Sequence, residues 1–417
     1  CLIVRKMNGG RMAMVLASLA FLAAPDLLGS FTYYSMNSLD IFFWLLATHR
    51  VICLVEKPTL RDWIILGIIL GAGMMNKISV LWLGAGLFMA ILFTDLRRQL
   101  RTIGPYAAAF VALAIFSPFV IWNAQNHFPH LEFMRNAVTQ KYNTLTRRDF
   151  LSEQFLNMNP FTFMVSLPGL YWCLFDTQGK RFRAIGIIFL VVFAILLANP
   201  HTKAEYISPA YPSLFACGGV ILARISERRR AVSVALIAIL VATGGLAAPL
   251  VLPILPVETY VRYSQALGVA PSTSEHKELS DLPQFFADMH GWESLAQDVS
   301  KAYLTIPETE RKTTVALTGN YGEAGALQLY SKIYPVPRVI CAHNSYWFWG
   351  VGDPNITTFI RLGGEQKDYT DRYGEVSVAG FHTCNHCMPY ENNLKIFIVR
   401  QRHIPIDKDW NNVKHFE

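Results

Sequence analysis

Apolar residues in this chain fall into long uncharged runs separated by short charged segments. Nine such runs precede residue 256: about 12–29, 39–55, 62–75, 78–94, 103–121, 161–175, 183–198, 206–223 and 231–255. A helix crossing the hydrocarbon of a bilayer needs about 20 apolar residues, and these runs approach that length. One short run could be a buried or re-entrant helix, but nine in succession predict a polytopic α-helical membrane protein. After residue 256 the pattern changes. Short β-like runs at Thr313–Leu317, Pro337–Cys341, Thr357–Leu362 and Lys395–Val399 alternate with helical stretches around 285–303 and 322–332. This predicts a small C-terminal α/β domain. The expected division is therefore 1–256 for the membrane domain, with a long loop at 122–160, and 257–417 for the second domain.

Charge orients the helices, because cytoplasmic loops of membrane proteins are enriched in Lys and Arg. The connecting segments fall into two alternating sets. One holds 15 Lys and Arg residues, at 5–11, 57–61, 97–101, 180–183 and 224–230. The other holds 6, at Lys77, in 122–160 and in 199–205. The first set is predicted to be cytoplasmic, so residues 257–417 are expected outside, in the periplasm of an inner-membrane protein. The membrane part carries 22 basic and 11 acidic residues, and the C-terminal part 15 and 19. The net charge of +7 is thus an orientation effect and gives no argument for nucleic acid.

The chain begins at Cys1, and Cys1–Val4 resembles the end of an apolar segment. An upstream portion is expected. Of the seven cysteines, Cys384 and Cys387 form a C-x-x-C without a second pair at zinc-site spacing. They read as a local disulfide or two separate thiols.

Ionisable groups near membrane depth are costly and are functional candidates by default. Most here lie at the ends of the runs, with Asp26 and Arg50 the chief exceptions. Asp40 opens the second run at its outer end. A carboxylate there can accept a proton, bind a metal or hold sugar hydroxyls; it can also simply complement the helix dipole. Lys77 and Lys203 lie in outer turns that are otherwise poor in cations. Each can neutralise a phosphate as a point charge or extend to the lipid headgroups. The 122–160 loop holds His127, His130, Arg135, Lys141 and Tyr142, and its apolar spacing around 128–138 fits a helix lying in the interface. His127 is a candidate metal ligand, although a surface role fits it and His130 better. In the C-terminal part, the aromatic run Tyr346-Trp-Phe-Trp349 can stack on sugar faces or pack as core or interfacial belt. Packing against the membrane part is the favoured reading.

Several of these stretches, in this order, resemble bacterial members of the dolichyl-phosphate-mannose–protein mannosyltransferase family, C-type glycosyltransferases that include the lipid A aminoarabinose transferases. Ser38-Leu-Asp40 before Ile-Phe-Phe-Trp is similar to the outer-face Asp motif. Gly71-Ala-Gly-Met-Met-Asn-Lys77 is similar to a Gly-rich helix ending in Lys. The loop 122–137 with Lys141-Tyr142, then Asn157–Pro160, is similar to the substrate-side loop. Lys203-Ala-Glu-Tyr206 through Pro212 is similar to a Lys-x-x-Tyr-x-x-Pro motif. Tyr321–Gly325 and His343–Trp349 are similar to the C-terminal domain of one bacterial branch. The resemblance implies sugar transfer from a polyprenyl-phosphate donor on the outer face to a protein, lipid or glycan acceptor. It implies that Lys77, Lys141, Lys203 and Arg135 bind the donor phosphate, that Tyr206, Tyr142 and Asn123 line the substrate, and that Asp40 has a supporting role. It also implies a divalent metal in some members, although Ala137 stands where a metal-binding His is expected. The acid that serves the family as catalytic base has no match here and is expected before Cys1. The alternative reading is a lipid-sugar flippase or transporter, which calls for polar residues deep in several helices or for paired broken helices.

Overall fold

The computed structural model describes residues 1–273 and 275–417. They form two compact units. The first comprises 1–127 and 144–256; the second comprises 128–143 and 257–417. Residues 128–143, expected with the membrane helices, pack instead with the C-terminal part. Long-range contacts explain this. Glu132 accepts from Lys414 Nζ at 2.6 Å, Asn136 Nδ2 donates to the Phe416 carbonyl at 2.7 Å, and Tyr142 forms a β-bridge with Glu275.

In chain order the α-helices are α1 (Leu2–Lys6), α2 (Arg11–Ala23), α3 (Pro25–Gly29), α4 (Met36–Glu56), α5 (Leu60–Asn76), α6 (Val80–Phe93), α7 (Gly104–Gln125), α8 (Pro129–Asn136), α9 (Arg147–Met158), α10 (Phe163–Leu174), α11 (Arg183–Ala198), α12 (Tyr211–Arg228), α13 (Arg230–Val251), α14 (Val257–Ala266), α15 (Gln284–Ala287), α16 (Trp292–Leu304), α17 (Glu308–Arg311), α18 (Tyr321–Tyr330), α19 (Lys367–Thr370) and α20 (Ile406–Asp409). Each of the nine apolar runs is helical, yet length separates them. Among the described residues five helical segments are long and apolar enough to cross a membrane: 36–56, 104–125, 180–198, 204–228 and 230–251. A sixth is the pair Val80–Phe93 and Asp95–Arg101, bent by 95°. The other runs, among the short ones that the sequence leaves open to being buried or re-entrant, form shorter apolar helices. The 13 residues of α2 reach only about 20 Å at 1.5 Å per residue, short of a hydrocarbon layer of about 30 Å. Its end is set by Pro25, which holds Ala24 in extended backbone (φ −86°, ψ 110°) and so stops the helix.

Small residues set the helix spacing in the first unit. Gly169 and Gly218 bring α10 and α12 into backbone contact: a Cβ on Gly218 would lie 1.9 Å from the Val165 carbonyl oxygen, and one on Gly169 2.2 Å from that of Leu214. Dispersion at such close approach replaces the hydrophobic drive that is missing between helices in lipid. α12 is accordingly the most deeply enclosed of the five long helices, whereas α13 keeps most of its apolar surface outward, as a lipid-facing helix does. Polar groups inside this unit find partners. Tyr211 donates to Gln154 at 3.1 Å, Gln154 donates to the Ala204 carbonyl at 2.9 Å, and Thr48 and Ser213 share a 2.9 Å hydrogen bond.

The second unit is built on a five-stranded mixed sheet of order β2-β1-β3-β5-β4: β1 (Thr314–Thr318), β2 (Arg338–Cys341), β3 (Thr358–Leu362), β4 (Tyr373–His382) and β5 (Leu394–Arg402). β1 runs parallel to β2 and β3, while β3–β5 and β4–β5 are antiparallel. β1 is buried along its whole length, as expected of a parallel strand covered on both faces. α16 and α18 pack with the sheet through Leu295, Val299, Ala316, Leu327 and Ile360. Cys384 and Cys387 are separate thiols; Cys387 N–H donates to Cys384 Sγ at 3.2 Å.

The close approach of α10 and α12 is testable. Gly218→Val in detergent-extracted protein is expected to lower the melting temperature by several degrees or prevent accumulation of folded protein, since overpacking costs about 1–3 kcal/mol or more. Gly84→Ala, where nothing lies within 4 Å of the added carbon, is expected to melt with the unaltered protein.

Candidate functional site

The site in the first unit starts from two helix ends. Ser35 caps α4, its hydroxyl accepting from Asn37 N–H at 3.2 Å. The first turns of α4 then carry Asn37 and Asp40 three positions apart, which places them on one face. α5 stops at Asn76, and Lys77 leaves helical backbone (φ −151°, ψ 126°). The short turn into α6 brings Lys77 and Ser79 to the start of α4. Asn76 Nδ2 fastens this junction by donating to the Met36 carbonyl at 2.9 Å.

The result is a cation enclosed by acceptors. Lys77 Nζ donates to Asn37 Oδ1 at 2.8 Å and lies 3.7 Å from Asp40 Oδ2. Ser79 Oγ donates to the same Asp40 oxygen at 2.9 Å. The Asp40 side chain is 2% exposed and that of Lys77 15%. Asp40 Oδ1 is buried and makes no hydrogen bond of normal geometry among the described residues. Lys77 also lies 5.2 Å from the centre of the Tyr206 ring, and Trp82 packs against that ring at 5.4 Å. Unit charges about 4 Å apart attract by about 4 kcal/mol at an effective dielectric of 20, so this pair is held firmly where solvent is scarce.

Tyr206 comes from a 3-10 helix, Ala204–Ala210, that has Lys203 at its N-terminal boundary. The segment joins Asp26 to the site: Ser208 Oγ donates to Asp26 Oδ2, and the charges of Glu205 and Lys77 act on the Asp26 carboxyl. The amino-acid pattern alone left Asp26 out of the candidate site, as an acid inside a span. The signal that identifies it is Ala24-Pro25-Asp26, because a proline that ends a helix puts the next acid at its mouth.

Asp40, Lys77 and Tyr206 are thus brought together. Asn123 is buried in α7, and its Nδ2 donates to the Phe119 carbonyl at 2.9 Å. Lys141, Tyr142 and Arg135 belong to the second unit. There Lys141 pairs with Glu275 at 3.8 Å, its carbonyl accepts from His276 N–H at 3.0 Å, and Arg135 is exposed at the end of α8. Neither unit by itself makes the expected grouping of Lys141 and Arg135 with Lys77 and Lys203. His127 is exposed, with positive φ (61°). Among the described residues no three His, Cys, Asp or Glu side chains come together in a group suited to a metal ion. Arg50, the other ionisable group deep in a helix, pairs with Asp62 at 2.9 Å.

Residues 2–122 match the family model described as dolichyl-phosphate-mannose-protein mannosyltransferase. That stretch contains Asp26, Asn37, Asp40, Lys77 and Ser79. No curated protein matches the chain. The fold is similar to ArnT from Cupriavidus metallidurans bound to undecaprenyl phosphate, with 15% identity, a TM-score of 0.58, and coverage of 95% of this chain and 81% of that one. The apo structure of the same ArnT gives 14% identity, a TM-score of 0.60, and coverage of 95% and 80%. At this identity the likeness is one of fold. Together the comparisons agree with the family resemblance read from the sequence, and the chain is a polytopic membrane protein with a small C-terminal sheet domain.

Removing one partner of a buried ion pair leaves the other charge uncompensated, which costs about 3–5 kcal/mol. Asp40→Ala is therefore expected to destabilise the detergent-solubilised protein more than the double variant Asp40→Ala/Lys77→Met. A thermal-unfolding double-mutant cycle measures the coupling; additive effects would mean that the pair carries no structural weight.

Proposed function

We propose that the first unit is the donor site of a membrane glycosyltransferase that moves a sugar from a polyprenyl phosphate to a hydroxyl of a protein, lipid or glycan. The observation that carries this reading is the lysine held between Asn37, Asp40 and the Tyr206 ring at helix ends. In the transfer the sugar C1–O bond breaks and the polyprenyl phosphate departs with the electron pair on its oxygen, so negative charge grows there in the transition state. Lys77 is positioned to meet that charge, and its carboxylate and amide partners fix the amine beforehand. Lys203, at the start of the segment carrying Tyr206, is the second cation of the proposed phosphate site. The bilayer supplies the polyprenyl chain laterally.

The acceptor hydroxyl forms the new C–O bond and must lose its proton. Asp26 is the carboxylate we assign to take it, since Ser208 orients one oxygen and the side chain is only partly buried. Asp40 is occupied by Lys77 and Ser79 and serves to position them. The charge asymmetry of the loops supports an inner-membrane location with this site and residues 257–417 on the outer face. The flippase reading fits less well. Arg50 is neutralised by Asp62 and Asp26 joins the cluster at the helix ends, whereas a transport path calls for polar residues deep in several helices.

Membrane vesicles carrying the protein, supplied with radiolabelled undecaprenyl-phosphate mannose or aminoarabinose, test the proposal. Lys77→Ala is expected to reduce label transfer about 100-fold or more, the usual cost of losing a transition-state charge partner. Asp26→Asn is expected to reduce it with a changed pH profile. Undiminished transfer by Lys77→Ala would refute the assignment.

A further inference from the structure

The sequence motifs around Tyr321 and His343 meet in the second unit. Asn320 caps α18, accepting from Glu323 N–H at 2.9 Å, and its Nδ2 donates to Glu391 Oε1 at 2.9 Å. The Tyr321 ring lies 4.8 Å from that of His343, which stacks on His415 at 4.5 Å. Tyr390 precedes Glu391, and Lys277 lies 4.9 Å from its ring centre. The Asp288 carboxyl interacts with the Tyr390 hydroxyl.

Two features make this more than a patch of polar residues. Glu391 is 7% exposed and His343 6% exposed, and each keeps one buried atom, Glu391 Oε2 and His343 Nδ1, without a hydrogen-bond partner among the described residues. An unsatisfied buried polar group is costly, and an ordered native structure keeps few of them. Beside these two residues are exposed aromatic rings, Tyr321 at 48% and Tyr390 at 42%. An exposed tyrosine changes rotamer readily, so the Tyr321 ring can turn away from His343.

The chemistry selects the ligand class. Burial, and then the charge of Glu323, push the Glu391 carboxyl up to about 8, so it is mainly protonated at neutral pH and can donate as well as accept. Burial and neighbouring His415 push His343 down to about 4, so it is neutral. The cluster therefore offers neutral donors and acceptors, Glu391 and His343, beside two exposed rings. A phosphate wants a net positive site, and a metal wants converging ligands. A pyranose presents alternating hydroxyls and an apolar C–H face, which match hydrogen-bonding groups beside aromatic rings.

We propose that Tyr321, Tyr390, Asp288, Glu391 and His343 form a saccharide-binding site on the C-terminal unit, the two rings taking the C–H faces and the carboxyls and imidazole taking the hydroxyls. The site stands on this unit alone and does not depend on the donor-site reading.

Saturation-transfer difference NMR on the full chain in phospholipid nanodiscs, free of glycoside detergents that would compete, tests it with methyl α-mannopyranoside and methyl α-glucopyranoside. Transfer to the ring protons of at least one glycoside is expected. It should fall at least fivefold in Tyr321→Ala and Glu391→Leu and persist in Phe381→Ala, an exposed aromatic on β4 outside the cluster. Tyr321 is a surface ring, so Tyr321→Ala decides the matter alone if Glu391→Leu does not fold. No transfer to either glycoside, equal transfer in Tyr321→Ala, or transfer only to n-butylamine would overturn the proposal.

Discussion

The ammonium group of Lys77 has little water around it and cannot stand alone at the end of a membrane helix. Its neutralisation by Asp40, with Asn37 and Tyr206 completing the cage, ties together three parts of the first unit: the start of α4, the turn between α5 and α6, and the 204–210 segment. Each depends on the others for its polar partners. Asp40 has Ser79 on the same oxygen, so the turn is fixed by two side chains two positions apart. In an apolar setting a charge left unpaired costs several kcal/mol. This makes the cage a strong constraint on how the helices meet, and a prepared place for an anion to compete for the amine.

Much of this architecture was legible in the chain. The alternation of apolar runs and charged connections marked the helices, Asp40 and Lys77 stood out as polar residues at helix ends, and Tyr206 lay in the Lys-x-x-Tyr stretch. Other features were hidden for definite reasons. Span lengths were overestimated because apolar residues continue past the point where Pro25 stops α2, and the same proline exposes Asp26 where a continuous helix would have enclosed it. The placement of Lys141 and Arg135 depends on contacts such as Glu132 with Lys414, far apart in sequence and invisible to local spacing. β4 escaped notice because it is an edge strand, largely exposed on both faces with glycines at 374 and 380, so it lacks the alternation that reveals a half-buried strand.

The two units carry different chemistry. The first gathers fixed charges at helix ends, in keeping with a charged lipid headgroup. The second places neutral hydrogen-bonding groups beside exposed rings, in keeping with an uncharged, hydroxyl-rich ligand. On the proposed function, the first unit answers to the lipid phosphate, and the proposed saccharide site adds recognition of hydroxyls in the second.

The central claim is that the Lys77 cage receives the phosphate of a polyprenyl carrier. Phosphorus-31 NMR of undecaprenyl phosphate titrated with the full chain in nanodiscs tests it most directly. The account predicts a saturable shift of the phosphate resonance that is weakened at least tenfold in Lys77→Ala and largely restored in Lys77→Arg. An identical titration with Lys77→Ala would contradict it.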